Sequence, residues 1–408
     1  MEVSEIMAAA EEATRAFVSL IPDSPLLGAL FAFVTFFYLP MAVYQTYLMF
    51  SGIHHNDDRY FAKQTRLDKA NGVIVAITTN GMAVDVVEWI IASIEGYRMD
   101  IGIYVIKEAR DAHVYSGKEI VVPADYVCPN GSKSKMRALQ YGIEALHEMG
   151  YGSETYICHL DDDSLVDQDY LEYVMHYMTG EGGQGCIRLR EFGRHMLSSL
   201  ADIVRISNCE TWCKLHNRKD NPMFVHGEGL VVRADIEHEI GWDYGTYGAE
   251  DLIMGLEISR RGTFRHIPIG NIFISPPVTA KDYMKQRRRW FWSIFKTDGK
   301  LRRLSLKTYL TYIYMYAIGI TGLISLTLLP IVLLSAYAIP HMVLAACLFN
   351  IVAFFGYFQF GALFCDRRPC APMLLLMQIP VAFYDGFSIL YALVTRPNFE
   401  VFETIKKV

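Results

Sequence analysis

Four stretches of the chain carry few or no charges, and each is near or beyond the ~20 residues needed to cross a bilayer core. They cover residues 26–50, 309–337, 342–365 and 373–394. Ahead of them, residues 5–20 place Ile6, Ala10 and Phe17 on one side and acids on the other, as in a helix lying on a membrane surface. The long middle, about 51–307, has globular patterning and enough length for one sizeable core. Within it, 73–78 (VIVAIT) is an apolar, mostly β-branched run that predicts a buried parallel strand. Asn80-Gly81 turns the chain into an amphipathic helix over 84–94. A second strand is predicted over 101–106, a helix over 134–147, and a strand over 155–160 that runs into Asp161-Asp162-Asp163. A further helix, 252–261, is closed by Gly262. Alternating strands and helices predict a doubly wound α/β sheet, whose ligands sit beyond the carboxyl ends of its strands. Thr78, Glu108 and Asp161 hold that kind of position.

The expected organisation is an amphipathic segment (1–23), a first membrane helix (24–52), the α/β domain (53–280), an interfacial helix (281–307), three membrane helices (308–397) and a tail (398–408). Composition agrees: 52% of the 408 residues are hydrophobic, too many for a wholly soluble protein. The net charge of −6 says little, but its distribution is informative. Lys and Arg gather at 285–307 and at Arg367-Arg368, so the positive-inside rule puts the α/β domain and the 365–370 loop in the cytoplasm. The N-terminus is then outside, and four spans put the C-terminus there too, against which Lys406 and Lys407 argue. Glu2, Glu5, Glu11 and Glu12 are the wrong sign for a signal peptide, and no nucleic-acid partner is expected. None of the eight cysteines forms a CxxC pair, consistent with a reducing compartment. Cys209 and Cys213 share a predicted helix and could share a metal; with no second pair nearby, helix packing is the better reading.

Candidate chemistry lies at the ends of these elements. Asp161-x-Asp163 offers two hard oxygen donors at a strand end, suited to Mg²⁺ or Mn²⁺ with diphosphate and water completing the shell. A solvated turn capping the helix near Gln168 would look similar. Glu250-Asp251 opens a helix after the glycine-rich lead-in 241–248, where backbone N–H groups would keep a carboxylate ionised for use as a base. Gln286-Arg287-Arg288-Arg289-Trp290 precedes a membrane span; its guanidinium groups suit a diphosphate and its Trp a sugar or base, although headgroup anchoring explains such a segment too. Arg289 and Trp290 are assigned to the site ahead of Arg287 and Arg288. Lys135 opens a helix where a cation would grip phosphate. Weaker candidates for a sugar or acceptor pocket are Glu250, Trp242, His226, Gly227 and Gln184. His159 reads as a hydrogen-bonded core residue, and Tyr309, Tyr312, Tyr314 and Tyr316 as helix packing.

Taken together, Lys135, Asp161-x-Asp163, Glu250-Asp251 and Gln286-x-x-Arg289-Trp290 resemble the membrane-embedded family 2 glycosyltransferases, which include cellulose, chitin and hyaluronan synthases. The words 119–123, 137–141, 159–161, 183–185, 200–202 and 249–251 are similar to egghead-type β-1,4-mannosyltransferases of glycolipid synthesis. Two departures are Ala249, where many synthases carry Thr, and Asp162-Asp163, where the egghead acidic cluster carries Glu. The resemblance implies a Rossmann-like GT-A fold, a nucleotide-sugar donor and inversion at the anomeric carbon. By position, Thr78 and Glu108 would hold the nucleoside, Lys135 the phosphate, and Asp161 and Asp163 the nucleotide and metal. Asp251 would be the base, while Gln286, Arg289 and Trp290 would bind diphosphate and close the site. It further implies GDP-mannose as donor, with UDP-sugars as the alternative, and a lipid-linked sugar as acceptor. Two other readings stay open: a processive polysaccharide synthase, and a non-catalytic nucleotide-sugar-binding subunit.

Overall fold

The computed structural model describes residues 25–190, 195–334, 339–365, 370–399 and 405. The surface helix expected over 5–20, Arg367-Arg368 and Lys406-Lys407 lie outside the described residues.

Residues 73–79 are β-branched apart from Ala76, and they form the body of β1 (Gly72–Thr79). In chain order β2 (Ile101–Glu108), β3 (Lys118–Val122), β4 (Thr155–Asp161), β5 (Leu165–Val166) and β6 (Gly182–Gln184) follow. After them come β7 (Ile187–Leu189), β8 (Leu230–Arg233), β9 (Phe264–His266) and β10 (Ile272–Ile274). Seven strands form one sheet in the order β3-β2-β1-β4-β8-β6-β9, and β5, β10 and β7 form a second. β3, β2, β1 and β4 run parallel, whereas β8 is antiparallel to both its neighbours. The sheet is therefore mixed rather than wholly parallel, an α/β arrangement with helices on both faces.

Side-chain alternation along β1 divides the core. Val73, Val75 and Ile77 pack with Val87, Ile90 and Ile94 of helix Val84–Glu95 and with Leu171 and Val174 of helix Gln168–Tyr177. Ile74 and Ala76 face Leu139, Ile143 and Leu146 of helix Lys135–Glu148, and Ile253 and Ile258 of helix Glu250–Arg261. Each fully buried aliphatic side chain contributes roughly 1.5–3 kcal/mol. The register sets Thr78 directly beside Asp161, so both strand ends open at one edge.

Four helices are long and apolar enough to cross a bilayer: Pro25–His54, Leu306–Leu334, His341–Leu363 and Cys370–Val394. Two hydrogen bonds to backbone carbonyls join these helices, the kind of internal pairing an apolar solvent favours. Tyr314 donates to the Phe37 carbonyl (2.8 Å), and Asn350 Nδ2 to that of Thr35 (2.8 Å). The basic-aromatic segment lies in helix Ala280–Phe295, capped by Thr279. It is fastened to the fourth apolar helix: Tyr283 donates to Asp385 (2.6 Å), and Trp292 Nε1 to the Ala392 carbonyl (2.9 Å).

Asp57, just past the first apolar helix, ties that helix to the α/β domain. Its carboxylate meets Lys214 Nζ at 2.6 Å and His266 Nε2 at 2.8 Å, and also pairs with Arg218. Burial pushes the Asp57 carboxyl up, but His266 and Lys214 outweigh it and hold the group well below the usual carboxylate range. A depressed folded-state pKa gives stability that is present above the unfolded value of ~3.9 and lost as pH falls toward the folded one. D57N should therefore cost roughly 2–4 kcal/mol at neutral pH. The gap from wild type should narrow below pH ~4, which thermal unfolding between pH 7 and pH 3 in detergent will measure.

Candidate active site

Two helix starts converge at the open edge of the sheet, and their lead-in loops are bonded to each other. Asp243 accepts from the backbone N–H of Ser132 (3.2 Å) and its carbonyl from Asn130 Nδ2 (2.9 Å), while Ser132 Oγ accepts from Gly245 N–H (2.9 Å). Gln140 Oε1 accepts from the N–H groups of Trp242 and Asp243 (2.5 and 3.0 Å). Both helices are entered through non-glycine residues of positive φ, Ser134 (54°) and Ala249 (60°), a strained conformation held by these cross-links.

Lys135, Glu250 and Asp251 thus reach the end of β4. Lys135 Nζ lies 2.8 Å from Asp161 Oδ1, 3.6 Å from Glu250 Oε1 and 3.8 Å from Asp251 Oδ1. Gly227 forms the wall behind them: a Cβ there would stand 2.6 Å from Lys135 Nζ and 2.7 Å from Asp251 Oδ1. Only a glycine leaves room for that approach. Burial raises the Asp251 carboxyl well above the usual range; Lys135 opposes the rise, and the charges of Glu250 and Asp161 add to it. Sequence reasoning expected the helix terminus to keep this acid ionised. Desolvation and two neighbouring carboxylates outweigh that terminus.

The cluster opens on a cavity of about 590 Å³. At one end lie Thr78, Asn80, Glu108 and Arg110; the middle holds Lys135, Asp161, Asp163, His226, Gly227, Glu250 and Asp251; Gln286, Arg289 and Trp290 lie across it. The far end continues between the apolar helices past Tyr316, Gly319, Asn350 and Gly386. Gln286 is fully buried and neither of its amide atoms has a partner among the described residues, nor does Thr78 Oγ1. Two guanidinium groups, of Arg205 and Arg287, lie over the Trp290 ring, 5.1 and 4.6 Å from its centre.

Asp161 and Asp163 fit a hard divalent cation. They present carboxylate oxygens, the ligand type of Mg²⁺ and Mn²⁺, on the wall of the cavity. Helix capping does not explain them: Asp167 caps helix Gln168–Tyr177, accepting from Tyr170 N–H at 3.1 Å.

Two pocket candidates fall elsewhere. Trp242 is buried in the core, its Nε1 donating to Glu237 (2.5 Å), so aromatic packing rather than sugar stacking accounts for it. Gln184 lies behind the wall and holds His226 through that residue's carbonyl. Glu108 lines the cavity while paired with Arg137, and His159 pairs with Glu237 at 2.9 Å. Tyr312 and Tyr316, read as helix packing, line the cavity as well. Sequence reasoning missed Arg205, which pairs with Glu228 at 2.9 Å and supports Trp290. It also missed that Arg287 is held by Asp202 at 3.1 Å. The word Leu200-Ala201-Asp202 was the available signal for the second.

A family described as glycosyl transferase family group 2 matches residues 156–384, more than half of the chain. The chain belongs to that family. Among curated relatives it is similar to the β-1,4-mannosyltransferase egh of Drosophila melanogaster, 31% identical over 186 residues, 43% of this chain and 40% of that one. It is also similar to the β-1,4-mannosyltransferase bre-3 of Caenorhabditis elegans, 27% identical over 191 residues, 44% and 41% of the two chains. The matched region thus spans about 40% of the length of these relatives. A solved structure, the mannosyltransferase PcManGT from Pyrobaculum calidifontis in complex with GDP-Man and Mn²⁺, aligns with a TM-score of 0.43 and 14% identity, covering 88% of this chain and 98% of that one.

Two outcomes are expected of this site. G227A should reduce turnover at least tenfold while leaving the protein folded, because the added methyl separates Lys135 from Asp251; steady-state kinetics beside a melting curve will check it. The acidic limb of the kcat/KM–pH profile should lie above the ordinary carboxylate range of ~4. It should move to lower pH in E250Q, which removes one repelling charge from beside Asp251.

Proposed function

We propose that this chain is an inverting, metal-dependent hexosyltransferase that moves mannose from GDP-mannose, in β-1,4 linkage, to a membrane glycolipid acceptor. The observation that carries this reading is the single cavity joining the acidic cluster to a cleft between apolar helices. A polar donor would occupy one end and a lipid-borne hydroxyl would approach from the other. The printed activity of egh and bre-3 supports mannose and the β-1,4 linkage. The basic clusters at 285–307 and Arg367-Arg368 support a cytoplasmic α/β domain held between one preceding and three following membrane helices.

In this mechanism Asp251 accepts the proton of the acceptor hydroxyl as its oxygen attacks the anomeric carbon, which passes through an oxocarbenium-like state. Lys135 and Arg289 face the leaving diphosphate and stabilise the charge it develops. Gln286 supplies amide hydrogen bonds to the same group, and Trp290, braced by two guanidinium groups, covers the sugar. Thr78 and Glu108 hold the nucleoside. A Mg²⁺ or Mn²⁺ ion on Asp161 and Asp163 would supply Lewis-acid stabilisation of the diphosphate. The raised Asp251 pKa makes it a stronger base once deprotonated.

A competing outcome is repeated addition, since the cleft between the helices would also admit a growing glycan. Purified protein given GDP-mannose, UDP-sugars and a glucosyl lipid, with Mn²⁺ or Mg²⁺, should add one mannose. A ladder of products would favour a polysaccharide synthase, and no transfer from any donor would favour a non-catalytic subunit. D251N should lower turnover ~10²–10⁴-fold with nucleotide binding intact; wild-type rates in that variant would remove Asp251 from the mechanism.

A further inference from the structure

The helical run that begins at Met196 is interrupted by a five-residue π-helical turn, Cys209–Cys213, before resuming at Lys214. Such turns widen a helix and recur at functional sites. Here the turn sends Glu210 into a buried pair with Arg188 (2.6 Å) and sets both cysteine thiols on the cavity wall. The loop carrying His226 crosses the same place. Ligand atoms of Cys209, Cys213 and His226 all lie within 4.8 Å of one another, with Cys209 Sγ 3.3 Å from His226 Nε2.

The imidazole is already oriented as a ligand. His226 Nδ1 lies 2.8 Å from the Glu228 carbonyl oxygen, which can only accept, so Nδ1 carries the proton. Nε2 then turns its lone pair toward the two thiols. A metal-binding histidine typically donates its other ring N–H to a carbonyl in this way. Tetrahedral coordination at a Zn–S length of ~2.3 Å and a Zn–N length of ~2.0–2.1 Å sets sulfur and nitrogen about 3.6 Å apart. The two groups need to separate by only a few tenths of an ångström. Charge agrees as well: two thiolates and one neutral imidazole balance a dication, and a neutral set is the least costly to bury.

We propose that Cys209, Cys213 and His226 form a binding site for a thiophilic divalent cation of the zinc class, separate from the carboxylates Asp161 and Asp163. Sulfur and imidazole ligands select zinc, whereas aspartate oxygens select Mg²⁺ or Mn²⁺. The fourth coordination position faces the cavity. The bound ion fastens the loop bearing Gly227 to the helix beneath it, and so steadies the wall against which Lys135 and Asp251 are set.

The test uses the whole 408-residue chain in detergent, purified under reducing conditions without chelator. Mass spectrometry of metals should find one zinc per chain. After stripping, added Co²⁺ should give a cobalt–thiolate charge-transfer band. That band should be absent in the C209S/C213S variant, weakened roughly tenfold or more in affinity in H226A, and retained in D161N/D163N. Zinc should also raise the melting temperature of wild type. Wild-type protein with neither zinc nor a cobalt–thiolate band overturns the proposal, as does an undiminished band in folded C209S/C213S or its loss in D161N/D163N. The wild-type measurements decide the matter even if the double cysteine variant does not fold.

Discussion

One ammonium group among acids from two elements organises this protein. Lys135 is the cation to which Asp161, Glu250 and Asp251 all turn, and without it three carboxylates would be forced together in a poorly solvated space. The arrangement is costly in isolation, since desolvation outweighs much of what a buried ion pair returns. It persists because the elements that carry these groups are fixed elsewhere: β4 by the sheet, and the two helix starts by the Asp243–Ser132 cross-links. On the proposed reading, a divalent cation would balance the negative charge that Lys135 leaves uncompensated.

The remaining architecture closes this cluster from the side of the apolar helices. Helix Ala280–Phe295 has one face on the cavity and another on the fourth apolar helix, so packing and cavity lining use different sides of the same element. Arg288 serves the packing side through Tyr391, while Arg287, held by Asp202, lines the cavity together with Arg289 and Trp290.

What the sequence disclosed follows from how local each signal is. The β-branched run at 73–78 and the acidic triplet after 155–160 are written within single elements, so strand, edge and candidate carboxylates were legible together. The antiparallel β8 was not, because Leu230–Arg233 is short and its direction depends on pairing with β4. Trp242 has the composition of a sugar platform, and only packing shows that its ring points into the core. The meeting of His226 with Cys209 and Cys213 depends on a π turn and a loop crossing, neither of which has a periodicity to detect. Gly227 stood among the weaker pocket candidates, but the groups its missing side chain lets meet are distant in the chain.

The chain is clamped at both ends of its α/β portion, by Asp57 below the first apolar helix and by Tyr283 and Trp292 on the fourth. With the apolar helices in a bilayer, these two moorings would set how far the cleft stands from the hydrocarbon. On the proposed reading, acceptors would then be sorted by stature: a saccharide stem too short to bring its hydroxyl level with Asp251, or one long enough to overshoot, would be refused whatever its stereochemistry.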